Sequence, residues 1–137
     1  MNERPQLSSA VSGNGYPWRM TNPVAQIIHT RDGDLLYDSI MVWCPGCEFL
    51  DEDGEPRGGL HMLPISEPGS PKWDFDGNLD APTLAPSILT RTNRPEEFIC
   101  HSFLRAGVFE YLGDCTHHLA NQQVPIPPLP DWALHSG

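Results

Sequence analysis

The chain has 137 residues with 15 prolines and 12 glycines, which predicts one domain and disfavours an all-helical bundle. Eighteen acidic against eight basic residues give a formal charge of −10, which would repel the phosphate backbone of nucleic acid. Hydrophobic residues make up only 39% of the chain, so a bound metal would help a small core to hold the fold together.

The sequence also indicates where the protein resides. The N-terminal residues lack the apolar stretch of a secretory signal, and no run of about 18 apolar residues predicts a membrane span. We therefore expect an intracellular protein that does not bind a membrane. Thiols stay reduced in that compartment, which favours metal ligation by the four cysteines, although two disulfides remain open for a secreted chain.

The composition changes along the chain in three stages. Residues 1–22 are polar and lack periodicity, which predicts a flexible arm. Residues 23–130 carry the apolar segments and predict the single folded domain. Residues 131–137 are interpreted as a C-terminal tail.

Six segments have the β-branched, aromatic or alternating character of strands. They are residues 24–30, 35–43, 60–65, 84–90, 98–104 and 108–112. Asp32-Gly33 predicts a tight turn between the first two, and Arg105-Ala106-Gly107 predicts one between the last two. The proline-rich residues 124–130 are expected to run extended along the surface. The fold class predicted is mainly β, a small antiparallel domain with Pro- and Gly-rich loops.

The sequence Cys44-Pro-Gly-Cys47 is typical of a zinc knuckle, in which two thiolates from one tight turn bind a tetrahedral ion. The rest of the site must come from elsewhere. Because neighbouring residues on a strand point to opposite faces, Cys100 and His101 should not both bind one ion. There are more candidate ligands than one zinc ion needs, so the sequence leaves open whether a second metal ion is bound. The candidates are Cys44, Cys47, His61, Cys100, His101, Cys115 and His117.

Two other functions of these residues are open. A redox dithiol is disfavoured because an acidic, loop-like stretch follows Cys47. A catalytic zinc could instead be held by His61, His101 and His117, with Asp114 or Glu110 moving protons. The chain has no H-E-x-x-H motif, no G-x-S-x-G elbow and no Gly-rich phosphate loop.

Several short motifs together resemble a family of small bacteriophage and prophage proteins of unknown function. They are the CPGC knuckle, Trp73-Asp-Phe-Asp-Gly77, Pro82-Thr83 with Pro86-Ser87, Cys100-His101-Ser-Phe and Asp114-Cys-Thr-His117. Members are sometimes labelled "ammonia monooxygenase", a label that the thiolate-rich ligand set does not favour. The resemblance covers roughly residues 40–128. It implies a phage-encoded, zinc-binding, β-rich domain, and it implies no reaction.

From these observations we expect a phage-encoded accessory or protein-interaction protein stapled by a structural zinc, in the host cytoplasm or the phage particle. The acidic charge favours a basic protein partner from the host or the virion. The alternative is a zinc-dependent hydrolase with a histidine-ligated catalytic metal.

Overall fold

The computed structural model describes residues 22–93 and 96–134. The expected flexible arm, apart from Asn22, and the last three residues of the expected tail lie outside these ranges. In the described ranges no helix is long and apolar enough to cross a bilayer.

Two antiparallel sheets form the body of the domain, which confirms the predicted mainly β fold. The first sheet has the order β1-β2-β5 and contains β1 (Ala25–Asp32), β2 (Leu35–Trp43) and β5 (Leu60–Pro64). The second has the order β10-β9-β8-β7-β6 and contains β6 (Asp74–Phe75), β7 (Leu84–Thr92), β8 (Phe98–Arg105), β9 (Val108–Tyr111) and β10 (Gln123–Pro125).

Short elements connect and flank the sheets. The strands β3 (Phe49–Leu50) and β4 (Pro56–Arg57) pair with each other between β2 and β5. One 3-10 helix, Pro45–Cys47, follows β2 directly, and a second, Asp131–Ala133, follows the proline-rich segment.

Both predicted hairpins are present. Gly33 has a φ of 65° in the turn between β1 and β2. The β8–β9 turn has Ala106 at φ 49° and Gly107 at φ 75°, and two successive positive φ values are the geometry of a type I′ turn. These turns match the right-handed twist of the strands they join, so local sequence is sufficient to set both hairpins.

The main hydrophobic core lies between the two sheets. Ile40 and Val42 of β2 belong to the same buried cluster as Leu104 of β8 and Phe109 of β9. All four side chains are fully or almost fully buried. This packing holds the second sheet against the first.

Residues 124–130 do not run along the surface, so that expectation is wrong. Val124 and Leu129 are 1% and 0% exposed, and Leu129 packs with Met41 and Trp43 on the outer face of β2. The apolar side chains between the prolines are buried because they cover a face of β2 that would otherwise contact water. Proline lacks a backbone N–H, so this segment buries few donors that need partners.

Candidate functional sites

Three neighbouring stretches of backbone each place one polar side chain on the outer face of the second sheet. Ser87 is on β7, His101 on the adjacent β8, and Asp114 on the segment that runs along the other edge of β8. That segment is aligned by bonds from Leu112 N to His101 O and from Thr116 N to Ile99 O, both 2.9 Å long.

Ser87 lies in an irregular part of β7. The register with β8 pairs Leu84 with Leu104 and Ile88 with Ser102, so β7 has two extra residues in this interval. A bulge of this kind redirects side chains next to the point where regular pairing resumes. The Trp73 indole N–H donates to the Ser87 carbonyl oxygen at 3.3 Å, which fixes the backbone behind the hydroxyl.

His101 points away from the core because of the strand alternation along β8. Its neighbours Cys100 and Ser102 are 2% and 1% exposed on the inner face, whereas the His101 side chain is 25% exposed on the outer face. The Cys115 sulfur accepts from His101 N and donates to His101 O, both at 3.2 Å, which anchors the histidine backbone.

The three polar side chains form a continuous hydrogen-bonded row. Ser87 Oγ lies 3.0 Å from His101 Nε2, and His101 Nδ1 lies 3.0 Å from Asp114 Oδ2. A neutral imidazole with its proton on Nδ1 donates to the carboxylate and leaves Nε2 free to accept the serine proton. This is the arrangement of an activated nucleophile, its base and the group that orients the base.

A second group of reactive side chains lies on the inner side of β8, in the core between the two sheets. The sulfurs of Cys44, Cys47 and Cys100 all lie within 4.8 Å of one another, and Cys44 Sγ is 3.6 Å from Cys100 Sγ. Cys44 follows β2, Cys47 ends the first 3-10 helix, and Cys100 is on β8. These three cysteines could bind a metal ion and join the two sheets.

Proton sharing within this group shifts the thiol pKa values in different directions. Burial opposes ionisation of Cys44, but hydrogen bonds from Cys100 and Cys47 and the nearby His61 outweigh it, so the pKa of Cys44 lies well below its usual value. Hydrogen bonds with Cys44 and Cys47, together with burial, raise the pKa of Cys100. A divalent cation could take the place of the protons in such a group of closely spaced thiols.

Tyr111 supports the knuckle from β9. Its hydroxyl accepts from Gly46 N at 2.8 Å and lies 3.2 Å from Cys44 Sγ, within hydrogen-bond distance. Burial, followed by the charge on Cys44, raises the pKa of Tyr111 well above its ordinary value, so the phenol remains a donor.

Two of the other candidate ligands border the thiols. His61 Nε2 lies 3.5 Å from Cys47 Sγ, and His117 Nε2 lies 3.3 Å from Cys100 Sγ. Burial lowers the pKa of His117, which favours its neutral form.

The remaining candidates are placed elsewhere. His101 contacts Ser87 and Asp114, and Cys115 contacts the His101 backbone instead of the three-cysteine group. Glu110 lies opposite Phe103 in the β8–β9 hairpin, not opposite His101, and accepts from Arg105 at 2.8 Å. Of the two carboxylates considered as proton carriers, Asp114 is the one that contacts an imidazole.

Ser87 is the site residue that sequence reasoning missed. It has no flanking nucleophile motif, and its contact with His101 arises from the pairing of β7 with β8 and the bulge between Leu84 and Ile88. The sequence did contain a weak indication of this contact. Pro86-Ser87 and Cys100-His101 are separate motifs, and the strands that carry them were predicted to lie in one antiparallel domain.

A family model described as "Bacterial ubiquitination-like system serine protease (BubE)" matches residues 14–112, which is most of the chain. The matched range contains Ser87, His101 and the three clustered cysteines, and it ends two residues before Asp114. No curated protein and no solved structure matches significantly.

Proposed function

The chain belongs to the BubE family of bacterial ubiquitination-like system serine proteases, and on that premise we propose that it hydrolyses peptide bonds with Ser87 as the nucleophile. The observation that carries the proposal is the row of two 3.0 Å contacts from Ser87 through His101 to Asp114. Ser87 and His101 lie on adjacent strands of one sheet, and Asp114 lies in a turn whose flanking residues, Leu112 and Thr116, are hydrogen-bonded to β8. Regular pairing holds reacting groups more firmly than a long loop would.

The row supports acyl transfer in two steps. Ser87 Oγ bonds to the scissile carbonyl carbon while its proton passes to His101 Nε2, and that proton then passes to the leaving amine as the C–N bond breaks. A water molecule next gives its proton to His101 and attacks the acyl ester, which releases the acid and restores the Ser87 hydroxyl. Asp114 keeps the imidazole in the tautomer that accepts the proton.

The exposure of the row favours a protein substrate. The side chains of His101 and Asp114 are 25% and 54% exposed, so the reacting groups lie at the surface of the sheet. Leu89, directly across from His101, is 53% exposed and adds apolar surface beside them. A polypeptide segment can lie on such a face, and we infer that the substrate is a protein of a bacterial ubiquitination-like system.

The nucleophile can be tested with a fluorophosphonate probe, which reacts with an activated serine. The native protein should be labelled at Ser87, with the adduct located by peptide mass spectrometry. Ser87→Ala and His101→Ala should remove the label, whereas Ser70→Ala, a change at an exposed serine outside the row, should retain it. Equal labelling of native and urea-denatured protein, or none at Ser87, would contradict an activated nucleophile.

We also propose that the metal held by the three cysteines is zinc. Soft thiolates favour Zn²⁺, and tetrahedral zinc places two sulfurs about 3.8 Å apart and a sulfur and a nitrogen about 3.5 Å apart. The separations between Cys44 and Cys100 and between Cys47 and His61, 3.6 and 3.5 Å, fit these values. The site has a structural role in this proposal, because Ser87, His101 and Asp114 lie outside it.

Elemental analysis of protein purified without a chelator tests this part separately. One zinc per chain is expected, with three thiols that react only after chelation. Protein that folds with no bound metal would rule out the metal site and leave the serine proposal intact.

The zinc-dependent hydrolase considered from the sequence is less well supported, because His101 contacts Ser87 and Asp114. A phage-encoded accessory role, a basic protein partner, and a location in the host cytoplasm or the phage particle stay predictions.

A further inference from the structure

Two imidazoles border the three-cysteine group, and a tetrahedral ion with three thiolates takes one of them. His61 is on β5 beside the knuckle, and His117 follows β9 with its Nε2 next to Cys100 Sγ. The distances from each Nε2 to its nearest sulfur differ by little, so distance alone does not choose between the two imidazoles. The hydrogen bond made by the other ring nitrogen, Nδ1, distinguishes them.

The second nitrogen of His117 is already used as an acceptor. Leu119 N donates to His117 Nδ1 at 3.1 Å, so the lone pair of Nδ1 points at a backbone N–H. In a neutral ring the proton is then on Nε2, which faces Cys100 Sγ at 3.3 Å. Ligation through Nε2 would require the proton on Nδ1, where it would point at the N–H of Leu119. Metal-bound histidines show the opposite pattern, in which the second nitrogen donates.

His61 has no such conflict. Its Nε2 lies 3.5 Å from Cys47 Sγ. His61 is directly opposite Val42 on β2, two residues before Cys44, which fixes it next to the start of the knuckle. No contact with a donor at His61 Nδ1 occurs among the described residues.

We propose that His61 is the fourth metal ligand, with Cys44, Cys47 and Cys100, and that His117 donates a hydrogen bond from Nε2 to the Cys100 sulfur. The inference rests on the proposed metal site and is independent of the serine chemistry. It gives each of the two most buried thiolates a donor, the Tyr111 hydroxyl for Cys44 and the His117 imidazole for Cys100. Such donors spread the negative charge that three thiolates bring into a buried site.

X-ray absorption spectroscopy at the zinc edge distinguishes the two imidazoles, because a bound imidazole ring gives a characteristic multiple-scattering signal. Wild-type protein should show three sulfurs and one imidazole. His61→Ala should lose the imidazole signal, whereas His117→Ala should keep it while zinc affinity, measured by chelator competition, falls roughly 10–100-fold. His117→Gln, whose amide can donate to sulfur, should recover part of that affinity.

His61→Cys is a second variant in case His61→Ala does not fold, because the cysteine still provides a fourth ligand. It should bind one zinc with four sulfurs and no imidazole signal. Loss of the imidazole signal in His117→Ala, or its retention in either His61 variant, would overturn the assignment. Wild-type protein without zinc would instead refute the metal site itself. The protease proposal is tested separately, by fluorophosphonate labelling of Ser87, and does not depend on either result.

Discussion

Cys100 and His101 are consecutive residues of β8 whose side chains belong to two different sites on opposite faces of the sheet. Cys100 lies inside with Cys44 and Cys47, whereas His101 lies outside between Ser87 and Asp114. The alternation of a strand is sufficient to produce this division. The two sites therefore share a backbone but no side chain, and substitutions can address them separately.

Asp114 should matter for catalysis, and Glu110 should not. Asp114→Asn keeps the size of the side chain but favours the wrong imidazole tautomer, so kcat should fall roughly 10²–10³-fold, with KM little changed. Glu110→Gln removes only a contact with Arg105 on the same hairpin and should leave kcat within about twofold. Steady-state hydrolysis of an activated peptide ester at varied concentration by each variant provides the measurement. Equal losses in both variants would argue against the role given to Asp114.

Cys100 and Cys115 should differ in their effect on metal content although both are buried. Cys100→Ser should release the metal and lower the melting temperature, because zinc binding contributes to folding free energy. Cys115→Ser should still bind one zinc, since its sulfur contacts the His101 backbone and lies outside the three-cysteine group. Elemental analysis and thermal melts of the two variants, with and without chelator, make the comparison. Loss of zinc from Cys115→Ser would indicate a different ligand set.

Most of the fold could be predicted from the sequence because its turns and strands are set by residues close together in the chain. The two tight hairpins have turn residues that adopt positive φ, and the strands beside them alternate or carry β-branched side chains. The buried path of residues 124–130 could not be predicted in this way. It depends on the outer face of β2, where Met41 and Trp43 are covered by Leu129, more than eighty residues away in the chain.

The two sites differ in how far the sequence could reveal them. The Cys44–Cys47 pair is visible as a motif, and alternation correctly separated Cys100 from His101. The choice of Cys100 over Cys115 required the register of β8. Ser87 was not visible, because three separate backbone segments and a bulge of two residues bring it to His101.

Trp73 is expected to position Ser87 through its indole N–H. Trp73→Phe keeps an aromatic ring against the core but removes the donor to the Ser87 carbonyl oxygen. We expect a loss of about 1 kcal/mol in the free energy of unfolding and a lower rate of fluorophosphonate labelling at Ser87. Trp132→Phe, at a half-exposed tryptophan packed edge-on to Trp43, should leave the labelling rate unchanged. An unchanged rate in Trp73→Phe would show that the bulge holds Ser87 without the indole.

The β8–β9 turn should be stabilised by replacing its first residue. Ala106 has a φ of 49°, in the left-handed region where alanine is strained, and Asn-Gly is the preferred pair for this type of turn. Ala106→Asn should therefore raise the free energy of unfolding by about 0.5–1 kcal/mol, measured by urea denaturation of the metal-loaded protein. Gly107→Ala should act in the opposite direction, because φ is 75° and the added Cβ would lie 3.0 Å from Ala81 Cα. A destabilised Ala106→Asn would show that this turn does not have the type I′ geometry.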